Sequence, residues 1–126
     1  MKKQVTNTAE APQPIGPYSQ AVAVNGMLFI SGQIGLDPHT GEFAHPDLKG
    51  QAVQVMENLK AILRANGAGF ENVIKTSIFL APGQDFGAVN TVYGTYFSDS
   101  FPARETVWVQ QLPKNALVEI SMIVAL

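Results

Sequence analysis

The run Ala116-Leu117-Val118-Glu119-Ile120-Ser121-Met122-Ile123-Val124 limits the fold more than any other stretch of this chain. Read as a strand, it sends alternate side chains to opposite sides. Val118, Ile120, Met122 and Val124 then share one face, and Leu117, Glu119, Ser121 and Ile123 the other. Neither face is polar. A sheet built around this run needs cover on both sides, from helices on one and from a neighbouring chain on the other. Glu119 is the exception within it, since a carboxylate in a half-buried strand is costly unless something uses it.

The 126 residues suit a single domain, 1–126, large enough for a real core. Hydrophobic content of 46% against 14% charge is globular and rather apolar, which again suggests that other subunits cover part of the surface. The net charge of −2 argues against a nucleic-acid partner, which calls for clustered Lys and Arg. With no cysteine, disulfides, thiolate catalysis and Cys-ligated metals are excluded. The start Met1-Lys2-Lys3-Gln4-Val5-Thr6 has no apolar segment of a signal peptide. No run approaches the roughly 20 apolar residues of a membrane span. A soluble, cytoplasmic protein is expected.

The chain reads as alternating strands and helices. Residues 9–18, with Pro12, Pro14, Gly16 and Pro17, form a stiff loop. Asn25-Gly26 joins the apolar runs Ser19–Val24 and Met27–Ser31, a strong hairpin signal. A second loop spans 33–46. Asp47 can cap a helix carrying Leu48, Ala52, Val55, Leu59, Ile62 and Leu63 on one stripe, ended by Gly67 or Gly69. In the strand Val73–Leu80, Ile74, Thr76, Ile78 and Leu80 are expected on one face, Lys75 and Ser77 on the other. Asp85 can cap a second helix with Phe86, Val89, Tyr93, Tyr96 and Phe97 at helical spacing. Thr106–Gln110 and Leu117–Val124 are expected to pair as a hairpin across Leu112-Pro113-Lys114-Asn115, and Lys3–Val5 adds a short strand. This order gives an α+β two-layer sandwich, a mostly antiparallel sheet with two helices on one face.

Few residues carry chemistry. The chain has two arginines. Arg64 lies in the last turn of the first helix, where a cation suits the dipole. Arg104 ends Phe101-Pro102-Ala103-Arg104 and opens a strand; it is either an edge charge or a clamp for a carboxylate. Glu119 is either an interface glutamate paired with a lysine or a general acid/base whose pKa burial raises. Ser31-Gly32-Gln33-Ile34-Gly35 is either a plain turn or a cradle of backbone N–H groups for a carboxylate or carbonyl oxygen. Tyr18 either covers a pocket or packs. Asn90 either reaches a ligand or faces solvent. His39 and His45 share a loop with Asp37, Glu42 and Asp47, but the spacing fits no zinc pattern.

Ile15-Gly16-Pro17-Tyr18-Ser19-Gln20, Ser31-Gly32-Gln33-Ile34, Val89-Asn90-Thr91-Val92-Tyr93, Phe101-Pro102-Ala103-Arg104 and Leu112-Pro113 with Val118-Glu119-Ile120 stand in the order of the RidA (YjgF-type) family. The chain resembles that family over nearly its whole length. The resemblance implies a chorismate-mutase-like fold, a homotrimer with clefts between subunits, and no cofactor or metal. It also implies hydrolysis of reactive enamines and imines, such as 2-aminoacrylate and 2-aminocrotonate, to 2-oxo acids and ammonia. By position Arg104 matches the family's carboxylate-binding arginine and Glu119 the glutamate near the reacting water. Tyr18, Ser31, Gly32, Ile34, Asn90 and Thr106 fall at pocket positions. Two other functions stay open: a module that binds 2-oxo acids without turnover, and a ribonuclease, an activity attached to some members. Many members have a small residue and a cysteine after the arginine; here Glu105 and Thr106 follow it. Thr106 keeps a hydroxyl without a thiol, and strand alternation should turn Glu105 away from Arg104. The expected C-terminal hairpin would put Arg104 ~13 Å from Glu119, so each site should take the two residues from neighbouring chains.

Overall fold

Short local signals start and stop each element of the computed structural model, which describes residues 2–126. Asn25 and Gly26, with φ of 52° and 73°, make the tight turn between β2 (Ala21–Val24) and β3 (Met27–Gln33). Both central residues need positive φ, which Asn and Gly tolerate. The Asp47 carboxylate accepts from the Gly50 N–H and opens α1 (Leu48–Ala65), and Gly67, at φ 69°, follows its end. Asp85 caps α2 (Phe86–Gly94) through the Gly87 N–H. Tyr96 and Phe97 lie beyond this helix, in the turn that follows it.

Six strands form one sheet in the order β1-β2-β3-β6-β4-β5, with β1 Gln4–Thr6, β4 Val73–Leu80, β5 Ala103–Trp108 and β6 Val118–Ala125. All neighbours are antiparallel except β4 and β5. The expected hairpin between the last two strands does not form. β5 runs parallel to β4 at the sheet edge, and β6 inserts between β3 and β4. The reason is α2. It carries the chain back across the sheet, so the next strand lies parallel to β4. β6, apolar on both faces, takes the interior place, where neither of its edges meets water.

Both helices lie against one face. Val118, Ile120, Met122 and Val124 of β6 are buried there with Leu28, Ile30, Ile78 and Leu80, under Val55, Leu59, Ile62 and Leu63 of α1 and Val89 of α2. Ile74 is the one misplaced residue of the β4 reading. Val73 pairs with Val124 and Lys75 with Ile123, so Ile74 is an extra residue, a bulge, and stays 46% exposed. The other face is open. It carries Phe29, 45% exposed, and Val107, 42% exposed, together with Ile123 and Phe79. Among the described residues no helix is long and apolar enough to cross a membrane.

Gln20 fixes the proline-rich loop. It is buried, its side-chain carbonyl accepts from the Thr8 N–H, and its amide N–H groups reach the carbonyls of Thr8, Ala11 and Pro12. Removing it leaves several buried backbone groups unpaired. Gln20→Ala is expected to lower stability by about 2–3 kcal/mol in urea unfolding; a loss within experimental error would show that the loop does not depend on this amide.

Candidate functional site

The residues singled out in the sequence gather at two places on the chain. The first is a narrow cleft lined by Tyr18, Gly32, Ile34, Glu119, Ile15 and Pro113, among others. Its enclosed space of about 50 Å³ holds a water or two. The second is a hollow of about 400 Å³ lined by Asn90, Tyr93, Gly94, Phe101, Pro102 and Arg104, wide enough for a small organic acid. Ser31 and Thr106 line neither.

Glu119 projects from the open face of β6. It sits beside Phe79 in the register, whereas Ile78 and Leu80 point to the helices. Opposite it β3 is irregular. Ile30 pairs with Met122 and Gln33 with Ile120, so Ser31 and Gly32 together face Ser121. In this bulge the Gly32 backbone approaches the Glu119 side chain closely. A Cβ at position 32 would lie 2.5 Å from Glu119 Oε2 and 2.7 Å from Cδ. Glycine is thus what lets the carboxylate lie flat against the strand. Partial burial raises the Glu119 pKa above the ordinary carboxylate value.

The rest of this cleft is held by backbone contacts. The Ser31 hydroxyl donates to the Ser19 carbonyl at 2.6 Å and the Ser31 N–H to the Gln20 carbonyl at 3.0 Å, pinning the Tyr18 loop to β3. The Ser31 proton is therefore engaged within the chain. Tyr18 is exposed at the rim, its hydroxyl accepting a long 3.4 Å bond from the Ile15 N–H. Ile34 is buried, and its carbonyl accepts from the Asn58 amide at 3.2 Å and the Leu36 N–H at 2.8 Å.

Arg104 lies on the other side of the sheet. It pairs with Thr76, whose side chain points to the helices and bonds Tyr93. Nη1 of Arg104 donates to Asn90 Oδ1 at 2.9 Å, and Cζ lies over the rings of Phe86 and Tyr93, 5.1 Å from each centroid. Among the described residues no carboxylate pairs with it. Glu105 points away, as strand alternation requires. It meets Lys75 Nζ at 3.2 Å and accepts from the Ser77 hydroxyl on the open face. These partners, Ser77 first and then Lys75, lower the Glu105 pKa. Burial raises that of Tyr93, against smaller opposing effects of Thr76 and Arg104, so its phenol stays neutral. Thr106 Oγ1 is buried with no hydrogen-bond partner.

The sequence reading missed Phe86 and Tyr93 as part of the Arg104 environment, taking them for packing. The signal was present: Phe86, Asn90 and Tyr93 stand at offsets 0, 4 and 7, one face of a helix. No group of three or more His, Cys, Asp or Glu positioned to hold a metal occurs among the described residues.

Arg104 and Glu119 do not meet in one chain. Glu119 and Val107 both stand level with Phe79, on β6 and β5 to either side of β4. Arg104 is thus two strands across and three residues along from Glu119, about 14 Å at normal strand spacing. They also face opposite sides of the sheet. The hairpin expected from the sequence is absent, yet the separation it suggested holds on different grounds.

The contact between Gly32 and Glu119 gives a direct test. Gly32→Ala should push the carboxylate off the strand toward water, and the Glu119 pKa should fall toward its ordinary value. A carbon-13 titration of the Glu119 carboxyl measures this. An unchanged pKa in the Ala variant would mean that the bulge does not set the carboxylate's environment.

Residues 8–126 match the family model Ribonuc_L-PSP, described as endoribonuclease L-PSP. The 2-iminobutanoate/2-iminopropanoate deaminase of Mus musculus is 47% identical over 121 residues, spanning 96% of this chain and 90% of that one. The crystal structure of RidA from an Antarctic Psychrobacter superposes with a TM-score of 0.94 at 42% identity, over 98% of this chain and 99% of that one. That of TdcF from E. coli, with bound serine, superposes with a TM-score of 0.92 at 38% identity, over 98% of each chain. The architecture, the family match and the identity over almost the full length of these relatives place this chain in the RidA family, whose family model carries the endoribonuclease L-PSP description.

Proposed function

We propose that this protein is a hydrolytic deaminase of reactive 2-imino acids and their enamine tautomers, releasing 2-oxo acids and ammonia. The observation that carries the reading is the state of Arg104: a guanidinium held by neutral groups, with no carboxylate partner among the described residues, beside a hollow sized for a small acid. The relative with the deaminase name supports the same reaction.

The working protein is a homotrimer in this proposal, and each site lies between two chains. The opposite-face placement of Arg104 and Glu119 and the apolar open face both support this. Arg104 of one chain binds the substrate carboxylate through two parallel N–H donors. Glu119 of the neighbour, beside Gly32, orients a water. Tyr18 covers the cleft, Asn90 holds Arg104, and Ser31 and Ile34 fix the loop and strand around it. Thr106, with its free buried hydroxyl, lies on the Arg104 side.

The steps balance without a cofactor. The water oxygen attacks the C=N carbon while Glu119 takes a water proton and passes it to the imine nitrogen. The carbinolamine then collapses: Glu119 carries the hydroxyl proton to the amino nitrogen, the C–N bond breaks, the C=O bond forms, and ammonia leaves. The product is a 2-oxo acid. A carboxylate whose pKa burial raises takes up a proton more readily than a fully solvated one, and it can return it. The proposal keeps the cytoplasmic setting read from the sequence. It gives no role to RNA, since a net charge of −2 offers little to a phosphate backbone.

The serine bound in the TdcF structure favours one second reading, a binder of amino or oxo acids that does not turn them over. Ammonia release from freshly generated 2-aminocrotonate, with and without the protein, separates the two. The deaminase should accelerate release, Arg104→Ala should abolish the acceleration, and Arg104→Lys should restore little, because an ammonium lacks the two-pronged fork. Glu119→Gln should lower kcat about 100-fold or more while 2-oxobutanoate still binds. No acceleration by the wild type, with 2-oxobutanoate bound, would establish the binder.

The raised pKa of Glu119 also sets a pH dependence. Its base form is lost as pH falls through the raised pKa. The kcat of the wild type should therefore fall on the acid side with a midpoint above 4.5, the usual value of the group. A flat profile down to that pH would remove Glu119 as the base.

A further inference from the structure

We infer that Phe86 and Tyr93 are positioning residues for Arg104: two aromatic faces hold the guanidinium without neutralising it and so reserve its charge for a substrate carboxylate. The inference rests on the deaminase reading of the Arg104 hollow.

An arginine at a sheet edge is most simply fixed by a carboxylate. That solution would spoil a substrate clamp, because the internal carboxylate would occupy the donors that the substrate needs. This chain places an acid next in sequence, Glu105, and holds it on the opposite face with Lys75 and Ser77. What remains around Arg104 is neutral. Asn90 accepts one Nη1 hydrogen bond, and Cζ lies over Phe86 and Tyr93 at 5.1 Å from each centroid. Aromatic faces attract a cation through their quadrupole and use no N–H donor as an acceptor would. Nη2 and Nε have no hydrogen-bond partner among the described residues, so a two-pronged edge stays available.

The rings are themselves fixed. Tyr93 is buried, its hydroxyl 2.9 Å from Thr76 Oγ1 and its ring 4.8 Å from that of Phe97. Phe86 packs against Trp108 at 6.1 Å, and the Trp108 indole N–H donates to the Gln84 carbonyl at 2.9 Å. Phe86, Asn90 and Tyr93 all project from one face of α2, so a single rigid helix supplies the whole clamp. The side chain of Arg104 has therefore lost much of its freedom before a ligand arrives, which is where preorganisation gains affinity.

The test alters the ring's charge distribution and keeps its shape. In the full chain, Phe86 is replaced by mono-, di- and trifluorophenylalanine, which progressively weaken the negative ring face. Calorimetry gives the Kd of 2-oxobutanoate, and kinetics on 2-aminocrotonate give KM and kcat. The expected result is a stepwise rise of Kd and KM, reaching about 5- to 10-fold for the trifluoro ring. The kcat should change less than about 2-fold, since the ring acts on carboxylate binding and not on the water.

A flat Kd series at unchanged melting temperature would overturn the inference, and so would an effect confined to kcat. Unchanged 2-oxobutanoate binding in Arg104→Ala would overturn it too, since the carboxylate would bind elsewhere. If the wild type releases no ammonia, the deaminase reading fails, but the Kd series still decides whether the rings position Arg104.

Discussion

The interior position of β6 governs this molecule. A strand with apolar side chains on both faces cannot sit at an edge or under water. It lies between β3 and β4, with Val118, Ile120, Met122 and Val124 buried beneath the helices. That choice puts Glu119 on the open face by parity alone. The β4–β5 register then sends Arg104 to the helix side, level with Thr76. Neither residue can change face without a one-residue slip that would pull a whole apolar row out of the core. The two charges to which the proposed reaction gives chemistry are thus kept apart by the same packing that holds the fold together.

Their surroundings suit different tasks. Arg104 is exposed, with an amide and two rings as its neighbours. Glu119 is half-buried against Gly32, with its proton affinity raised by lost solvation. In the proposed reaction one is a fixed cation for recognition and the other a tunable group for proton transfer. Bringing them together needs a second chain, and the apolar side chains of the open face, Phe29, Ile123, Phe79 and Val107, are a surface on which a second chain can pack. In this account assembly and catalysis are one requirement.

Much of this was legible in the sequence because the signals were local. Asn25-Gly26 gave the hairpin, Asp47 and Asp85 gave the helix starts, and the alternation in β6 gave the two-faced strand. The failure came at a non-local choice. Pro113 and Asn115 look like a hairpin turn, but β5 pairs with β4 because the crossover through α2 fixes its direction, which no local signal encodes. Ile74 was misplaced for a related reason, since a bulge shifts parity without marking the sequence. At the site, Arg104 and Glu119 stood out as charges in apolar company. The role of Phe86 and Tyr93 did not, because a ring that holds a cation and a ring that fills a core share one helical spacing.

The central claim is that a working site needs Arg104 from one chain and Glu119 from another. The most direct measurement mixes Arg104→Ala chains with Glu119→Gln chains, each inactive alone, after verified subunit exchange. In the proposed trimer, every mixed assembly contains one interface where an intact Arg104 meets an intact Glu119. An equal mixture should therefore regain about a quarter of the wild-type deaminase activity. A mixture that stays inactive would contradict the account and leave one of the two residues outside the reacting site.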